Sequence, residues 1–399
     1  MVLNVAKTSD KDTVISVRQR KKSSMVDMQN HSDKSRHVSW YRGEHTNILP
    51  QRHQLYSADE VKTAVLHGLK PAAPVIDKST RITAFGSCFA ANISNHLAAR
   101  NFNIAGQKEA ESKAYVIRCG EGMVNTFVLR QQFEWAWENR QFDQDLWHGY
   151  DKEAYGYDES VRIATRDIFD QTDVFILTVG LSEIWYDEPT GNVFWRTIPK
   201  DSYDPERHKF RVSTVGENKE NLEAIRQLIR KHRPDAKFIV TLSPVPLYAT
   251  FRDQSCMASN AVSKATLRVA LDEFIREAGD DDLYYWPSYE MVQDVFAGAM
   301  KADMRHPKDD VLQFIMYLFE NVWCIPEDGD EVDLNEYLAI ALAECGFVLP
   351  QVARLIKRKN YTRLRSLTEE RTLSKDDKIH QAMVKLIHQI CDAADAKAA

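Results

Sequence analysis

Short apolar runs, separated by longer stretches with helical spacing, dominate the chain from residue 81 to about residue 325. The runs at residues 174–179 (VFILTV) and 238–242 (FIVTL) are apolar at nearly every position, which is typical of strands covered on both faces. Runs of the same kind occur at residues 82–85 and 283–286. The pattern predicts strands of a parallel sheet buried between helices.

Helices are predicted between the strands, where apolar residues recur at intervals of three and four positions. They cover residues 90–100, 125–138, 217–232, 257–277 and 310–321. Residues 186–199 interrupt the alternation, because the Pro-Thr-Gly-Asn segment at 189–192 separates two aromatic stretches and predicts a hairpin turn. The alternation of strand and helix predicts an α/β fold, arranged as a three-layer α/β/α sandwich.

The two ends of the chain have different patterns. Residues 1–55 are polar and carry a basic run at 18–22, so we predict a mobile arm without a packed core. The basic run is either a solvated tail or a contact for an acidic partner or a membrane surface. An acidic run at 327–331 predicts a linker, and the pattern beyond it is helical. We therefore expect an arm, a central α/β domain at 56–325 and a helical C-terminal extension at 326–399.

Composition narrows the class of protein. The 399 residues are 44% hydrophobic and 28% charged, which is sufficient for a full core. A net charge of −6 argues against nucleic-acid binding and favours a small-molecule or carbohydrate substrate. The six cysteines lack CxxC spacing, and we interpret them as reduced thiols. The sequence shows no signal-peptide pattern and no apolar run near the about 20 residues of a spanning helix, so we expect a cytoplasmic protein.

No metal-ligand spacing appears among the twelve histidines. We therefore expect no metal and no cofactor. The sequence leaves the oligomeric state open.

A hydroxyl and a thiol occur together where the first predicted strand runs into a helix, at Ser87 and Cys88. Ligands of open α/β sheets bind beyond the carboxyl ends of the strands. Gly86 permits a tight turn there, and the N-terminus of the helix would stabilise a thiolate or an oxyanion. Cys88 and Ser87 are therefore candidate nucleophiles. The alternative is that Ser87 caps the helix while Cys88 packs as a small apolar side chain.

Two later blocks are candidates for the rest of an active site. Gly180 and Ser182 follow the strand at 174–179 and are candidate donors to an oxyanion, although a helix start is the alternative. Asp303 precedes His306 by three residues, a spacing that lets the carboxylate orient the imidazole. A surface contact is the alternative for this pair.

Two further groups of side chains are candidates for substrate binding. Four polar residues share one face of a predicted helix: Asn260, Ser263, Lys264 and Arg268. They either bind a charged substrate group or form a solvated face. The aromatic residues Trp185, Tyr186 and Trp195 either stack on a sugar or pack on each other.

Taken together, these blocks resemble the GSCFA family, whose motif is present here as Gly86-Ser87-Cys88-Phe89-Ala90. The resemblance extends over roughly residues 80 to 320. Further matching segments are residues 178–185, 242–247, 250–251, 260–264, 267–268, 287–290 and 303–307. The family is grouped with SGNH hydrolase-like folds, which implies a flavodoxin-like parallel sheet.

The resemblance implies roles for single residues. The SGNH blocks read Gly-Asp-Ser, Gly-x-Asn-Asp and Asp-x-x-His, so aligning Gly86 with the first glycine puts Cys88 in the position of the nucleophilic serine. Ser182 replaces the asparagine that would donate to the oxyanion, which weakens stabilisation of the transition state unless Asn125 or a backbone amide compensates. Glu183, from the same block, joins the substrate-binding candidates.

The implied function is a hydrolase or acyltransferase for ester or thioester bonds of an acylated small molecule or carbohydrate. His306 would deprotonate Cys88, and Asp303 would hold the imidazole. The motif does not separate hydrolysis from acyl transfer. A non-catalytic SGNH-fold binding or assembly protein is the main alternative, and a redox-sensitive thiol is a third.

Overall fold

The structure is a computed structural model, in which the following residues are described: 16–20, 23–29, 36–41, 47, 49–118, 122–141, 147–148, 154–195, 197–327, 329, 331–369 and 377–398. Its strands are β1 (Ser16–Arg20), β2 (Ser23–Gln29), β3 (Arg36–Tyr41), β4 (Ile82–Phe85), β5 (Trp147–His148), β6 (Ala154–Tyr155), β7 (Val174–Val179), β8 (Glu183–Asp187), β9 (His208–Val212), β10 (Lys237–Leu242) and β11 (Leu283–Tyr285).

The helices are α1 (Ala58–Leu66), α2 (Cys88–Ala99), α3 (Tyr115–Arg118), α4 (Thr126–Glu138), α5 (Glu159–Gln171), α6 (Val215–His232), α7 (Cys256–Ala278), α8 (Ser288–Glu290), α9 (Asp309–Trp323), α10 (Leu334–Glu344), α11 (Pro350–Lys357), α12 (Tyr361–Glu369) and α13 (Lys378–Ala398). A π-helix at Met291–Val295 follows α8. All five predicted helices are present, as α2, α4, α6, α7 and α9. The sequence pattern did not predict α1 and α5.

Four parallel strands form the central sheet, in the order β11-β10-β7-β4. Val174 in β7 lies between Ile82 of β4 and Lys237 of β10, so the three strands start at one level. The four strands agree with the predicted runs to within one residue at each end. Because all four are parallel, their carboxyl ends lie along one edge of the sheet.

A short segment extends the sheet beyond β4. Ile104 forms a parallel bridge with Ile82, whose amide donates to the carbonyl of Asn103. With this segment as a rudimentary second strand, the order along the sheet becomes 2-1-3-4-5. That is the flavodoxin-like order.

Alternate residues of the strands enter two separate hydrophobic cores. Val174 and Ile176 of β7 face the core formed with α1, α2 and α9, whereas Phe175 and Leu177 face the core formed with α4, α5, α6 and α7. Side chains alternate between the faces of a strand, so helices cover both sides of the sheet. The predicted three-layer α/β/α arrangement is confirmed.

The C-terminal helices belong to the first of these cores. Buried side chains of α10 to α13, including Leu338, Val352, Leu364 and Ile387, lie in the same cluster as those of α1 and α9. The region beyond residue 326 is therefore helical, as predicted, and its apolar side chains continue the core of the α/β domain.

Two regions contain strand pairings that the sequence pattern did not predict. The segment predicted as an arm contains the antiparallel sheet β1-β2-β3, while residues 21 and 22 of its basic run lie outside the described residues. The predicted hairpin at 187–192 forms: the Asp187 amide donates to the Asn192 carbonyl, Tyr186 makes an antiparallel bridge with Val193, and the Phe194 amide donates to the Trp185 carbonyl. In addition, β8 pairs along its length with β9. The local hairpin pattern did not indicate the pairing of β8 with β9.

Candidate active site

The turn after β4 requires a glycine. Gly86 has a φ of +130°, a conformation that side chains disfavour. A Cβ atom at this position would lie 2.1 Å from the carbonyl oxygen of Thr178 in β7. The two strand ends can approach this closely only because residue 86 has no side chain.

Ser87 is the N-cap of α2. Its Oγ accepts hydrogen bonds from the amide of Phe89, at 3.2 Å, and from the hydroxyl of Thr178, at 2.9 Å. The Ser87 amide donates to the same Thr178 Oγ1. The side chain is buried and engaged in these bonds, as the capping interpretation expects.

Cys88 is the first residue of α2 and is partly exposed. The unpaired amides of a helix N-terminus stabilise a nearby negative charge, which favours the thiolate form of a cysteine. No disulfide links the five cysteines that the structure describes, and Cys119 lies outside the described residues. Cys88 is therefore a reduced thiol in a position suited to a nucleophile.

Lys264 of α7 is buried at the carboxyl ends of β7 and β10. Its Nζ donates to three carbonyl oxygens, those of Gly180 at 2.8 Å, Ser243 at 2.8 Å and Val245 at 2.7 Å. Burial lowers the pKa of Lys264 to about 7, and the negative charge of Cys88 acts in the opposite direction. The ammonium group is thus inside the protein, close enough to the thiol for their charges to interact.

The loop that follows β7 holds the candidate oxyanion donors. The Gly180 amide donates to the carbonyl of Val124 at 2.7 Å, so this N–H is engaged within the protein. Asn125, the N-cap of α4, accepts from the Val128 amide through Oδ1. Its Nδ2 makes no hydrogen bond to any residue that the structure describes. Of the two, Asn125 retains a donor for an oxyanion.

Ser182 is fully buried and is tied to two other elements through its backbone. Its amide donates to Ser263 Oγ at 2.8 Å, and its carbonyl accepts from the amide and the hydroxyl of Ser213. Its own Oγ has no hydrogen-bond partner in the described part of the chain. Through its hydrogen bond to the Ser182 amide, Ser263 holds this loop against α7.

Glu183 follows directly and is also buried. Its Oε1 accepts from the Thr250 hydroxyl at 2.9 Å. Burial raises the pKa of Glu183, while this hydrogen bond and the charge of Arg252 act to lower it. The carboxyl group thus ties β8 to the loop after β10.

Asp303 and His306 form a pair in the loop that precedes α9. His306 Nδ1 lies 2.6 Å from Asp303 Oδ2, and Asp303 Oδ1 accepts from the amides of Arg305 and His306. The hydrogen bond from His306 holds the pKa of Asp303 well below its usual range. A carboxylate at Nδ1 leaves Nε2 as the nitrogen that can accept a proton. Both side chains are nearly half exposed, at 44% for His306 and 47% for Asp303.

Helix α2, which begins at Cys88, and helix α9, which follows His306, both end at the edge of the sheet where the strands begin. Lys78, on the segment that enters β4, donates to the carbonyl of Arg100 at the end of α2. The amide of Ile76, on the same segment, donates to the carbonyl of Trp323 at the end of α9. Both helices therefore begin near the carboxyl edge, where the strands end.

The two helices also start at about the same level. His96 of α2 and Arg100, the residue that follows α2, both bind Glu320 of α9, at 2.8 and 3.0 Å. At 1.5 Å per residue, this contact is about 12–18 Å from the start of α2 and about 16 Å from the start of α9. His306, three residues before α9 begins, is thus on the same edge of the sheet as Cys88.

The profile of the GSCFA family matches residues 81–319, which is more than half of the chain. The chain belongs to the GSCFA family. No curated protein matches it. The matched region runs from the residue before β4 into α9, so it includes every site residue described above.

Two other predicted substrate-binding residues of this GSCFA chain have partners within the protein. Asn260 Oδ1 accepts from the amide of Leu247 at 3.0 Å. Arg268 Nε donates to Glu290 at 2.6 Å, and its guanidinium lies over the ring of Tyr285. Each side chain holds a neighbouring segment in place, and substrate binding by them stays a prediction.

The aromatic candidates pack mainly on other rings. Trp185 contacts the rings of Tyr203, Phe210 and Phe251, and its Nε1 is buried without a described partner. Trp195 lies edge-on to Tyr115 in the core. Phe251 and Tyr203 are partly exposed, at 50% and 43%, so this cluster still presents aromatic surface.

Sequence reasoning gave no role to Thr178, which holds Ser87 from the next strand. A hydroxyl-bearing residue inside the otherwise apolar run of β7 was the available signal. Its partner could not be read from the pattern, because the two residues are 91 positions apart.

The described residues also bear on two further features, a metal site and a membrane-spanning helix. No three His, Cys, Asp or Glu side chains among these residues lie together in a way that would hold a metal ion. No helix within them has the length and apolar composition needed to cross a membrane.

Proposed function

We propose that this GSCFA protein is a hydrolase or acyltransferase that acts on ester or thioester bonds of an acylated small molecule or carbohydrate, with Cys88 as its nucleophile. The observation that carries the proposal is the position of Cys88, at a helix N-terminus beyond the end of β4 and close enough to the buried Lys264 for their charges to interact. The His306–Asp303 pair on the same edge of the sheet supports it. The flavodoxin-like strand order also supports a relationship to the SGNH hydrolases.

The reaction would proceed in two steps, acylation of Cys88 and then transfer of the acyl group to water or a sugar hydroxyl. His306 Nε2 takes the proton of the Cys88 thiol, and the sulfur forms a bond to the carbonyl carbon of the substrate. When the bond to the leaving oxygen or sulfur breaks, His306 returns the proton to that atom and an acyl-cysteine remains. Water or a sugar hydroxyl then gives its proton to His306 and attacks the acyl group, which releases the Cys88 thiolate for reprotonation.

The oxyanion of each tetrahedral intermediate needs donors. Asn125 Nδ2 is the strongest candidate, because the Gly180 amide already donates to Val124. A single oxyanion donor contributes on the order of 3 kcal/mol to transition-state stabilisation. We also propose that the protein works in the cytoplasm, where its thiols would stay reduced.

Trapping of the acyl-enzyme tests the proposal. We expect an activated acyl ester or thioester to leave its acyl group on Cys88, detected by mass spectrometry of the quenched intact protein and its peptides. Cys256 is a matched control, because it is also a partly exposed first residue of a helix. Acylation of Ser87, or equal acylation of Cys88 and Cys256, would contradict a nucleophilic role for Cys88.

Replacement of Asp303 by asparagine is expected to lower kcat/KM by about 100-fold, since a neutral amide no longer stabilises the imidazolium that forms during proton transfer. The measurement is steady-state hydrolysis of the same ester. Asp309→Asn is the control, because it removes a nearby carboxylate that binds only Lys301 among the described residues. Equal effects of the two substitutions would indicate a general loss of negative charge.

A non-catalytic binding or assembly protein is the second candidate function. The engaged amide of Gly180 favours it, because an oxyanion site with fewer donors is weaker. A protein of this kind would show no acyl-enzyme with any ester or thioester tested, and its C88A variant would bind ligands as the native protein does.

A further inference from the structure

The hydrogen bonds of Lys264 indicate its protonation state. An ammonium group has three N–H donors, whereas a neutral amine has two. The Nζ atom has three carbonyl acceptors within 2.8 Å, on Gly180, Ser243 and Val245. Three acceptors match the charged form, so the surrounding backbone favours a buried cation and opposes the lowering of the Lys264 pKa by burial.

A buried cation needs a compensating negative charge. Cys88 lies at the same strand ends as Lys264, because the preceding residue, Ser87, is bonded to Thr178 of β7, and Nζ is bonded to the carbonyl of Gly180, two residues after Thr178. The negative charge of Cys88 acts on Lys264. The two carboxylates described in the site interact with other groups. Glu183 of β8 interacts with Arg252, and Asp303 interacts with His306.

We propose that Lys264 is the counter-ion of a Cys88 thiolate and is the positioning residue that activates this nucleophile. This inference rests on the proposed function for its catalytic meaning, although the ion pair itself can be tested without any turnover. Lys264 would favour transfer of the thiol proton to His306, which leaves the imidazolium ready to protonate the leaving group. Substrate binding, the role that the sequence predicts for Lys264, would then fall to other groups.

The carbonyl acceptors also fix where this charge lies. Gly180 follows β7, while Ser243 and Val245 follow β10, so the ammonium group links two adjacent strand ends. Its three bonds leave the side chain little freedom to rotate. A fixed charge stabilises the thiolate without the reorganisation that solvent would need.

Alkylation of the native protein tests the ion pair directly. In this reaction the thiolate sulfur attacks the methylene carbon of iodoacetamide, and the carbon–iodine bond breaks to release iodide. Rates at Cys88 and Cys256 are measured between pH 5 and pH 9 by mass spectrometry of peptides. Because both cysteines begin helices, the helix N-terminus affects them alike. We expect Cys88 to react at least about tenfold faster than Cys256 at pH 6 and to reach its plateau at lower pH. Matching pH profiles would overturn the proposal.

A Lys264→Met substitution gives the second test. We expect it to move the pH profile of Cys88 to higher pH and to leave that of Cys256 unchanged, while Lys264→Arg restores part of the shift. A folded K264M protein with an unchanged Cys88 profile would also overturn the proposal. If circular dichroism shows that K264M is unfolded, the comparison of Cys88 with Cys256 in the native protein remains the test of the ion pair.

The alkylation profile and the turnover assay separate the two proposals. A low-pH profile of Cys88 without any acyl-enzyme would support the ion pair and remove the hydrolase or acyltransferase function. An acyl-enzyme on Cys88 with an ordinary pH profile would support the function and remove the role of Lys264.

Discussion

Replacing Cys88 with alanine is expected to lower turnover of an acyl ester or thioester by about 10⁴-fold or more, since loss of a nucleophile typically costs on the order of 10⁴ to 10⁶ in kcat. The substitution removes one sulfur atom from a partly exposed position, so the fold should remain intact. The measurement is kcat with a short-chain ester under saturating conditions, accompanied by a thermal unfolding curve for each protein.

Two control variants are needed to interpret the result for C88A. Cys256→Ala removes the comparable thiol at the start of α7 and is expected to leave kcat unchanged. Ser87→Ala is expected to lower stability by about 1 kcal/mol through loss of the helix cap. Loss of turnover in the Ser87 variant alone, with C88A active, would make Ser87 the nucleophile.

Replacing Gly86 with alanine is expected to lower the free energy of unfolding by about 3–5 kcal/mol. Two effects add: a strained backbone conformation costs about 1–3 kcal/mol, and overpacking costs a similar amount. The new Cβ would lie 2.1 Å from the Thr178 carbonyl oxygen and 2.7 Å from its Oγ1. Relief of this contact would separate β4 from β7 and break the hydrogen bonds that hold Ser87. Urea unfolding, followed by the change in midpoint, measures the effect.

Gly279→Ala is the matched control for Gly86→Ala. Gly279 also has a positive φ, +55°, but a Cβ there meets no atom within 4 Å. We expect this substitution to cost about 1 kcal/mol, from backbone conformation alone. If the Gly86 variant were destabilised no more than the Gly279 variant, the close approach of β4 to β7 would have no energetic importance.

Local sequence was sufficient for the framework of this protein. The apolar runs of β7 and β10 identify buried parallel strands, because a strand covered on both faces has no polar side to show in its pattern. The Asp303–His306 pair also follows from local sequence, since residues three positions apart in a loop can reach each other without help from the rest of the fold. The GSCFA resemblance predicted the extent of the family match closely.

Only the tertiary structure decided how the site is assembled. Lys264 meets the Gly180 carbonyl across 84 positions of sequence, and Thr178 meets Ser87 across 91. The pairing of β8 with β9 and the burial of the C-terminal helices in the first core depend in the same way on segments far apart in the chain. Periodicity records which face of an element is buried, but it does not record which distant element covers that face. The residue types at the Gly86-Ser87-Cys88 turn thus came from sequence, whereas the position of buried Lys264 at the neighbouring strand ends came from the fold.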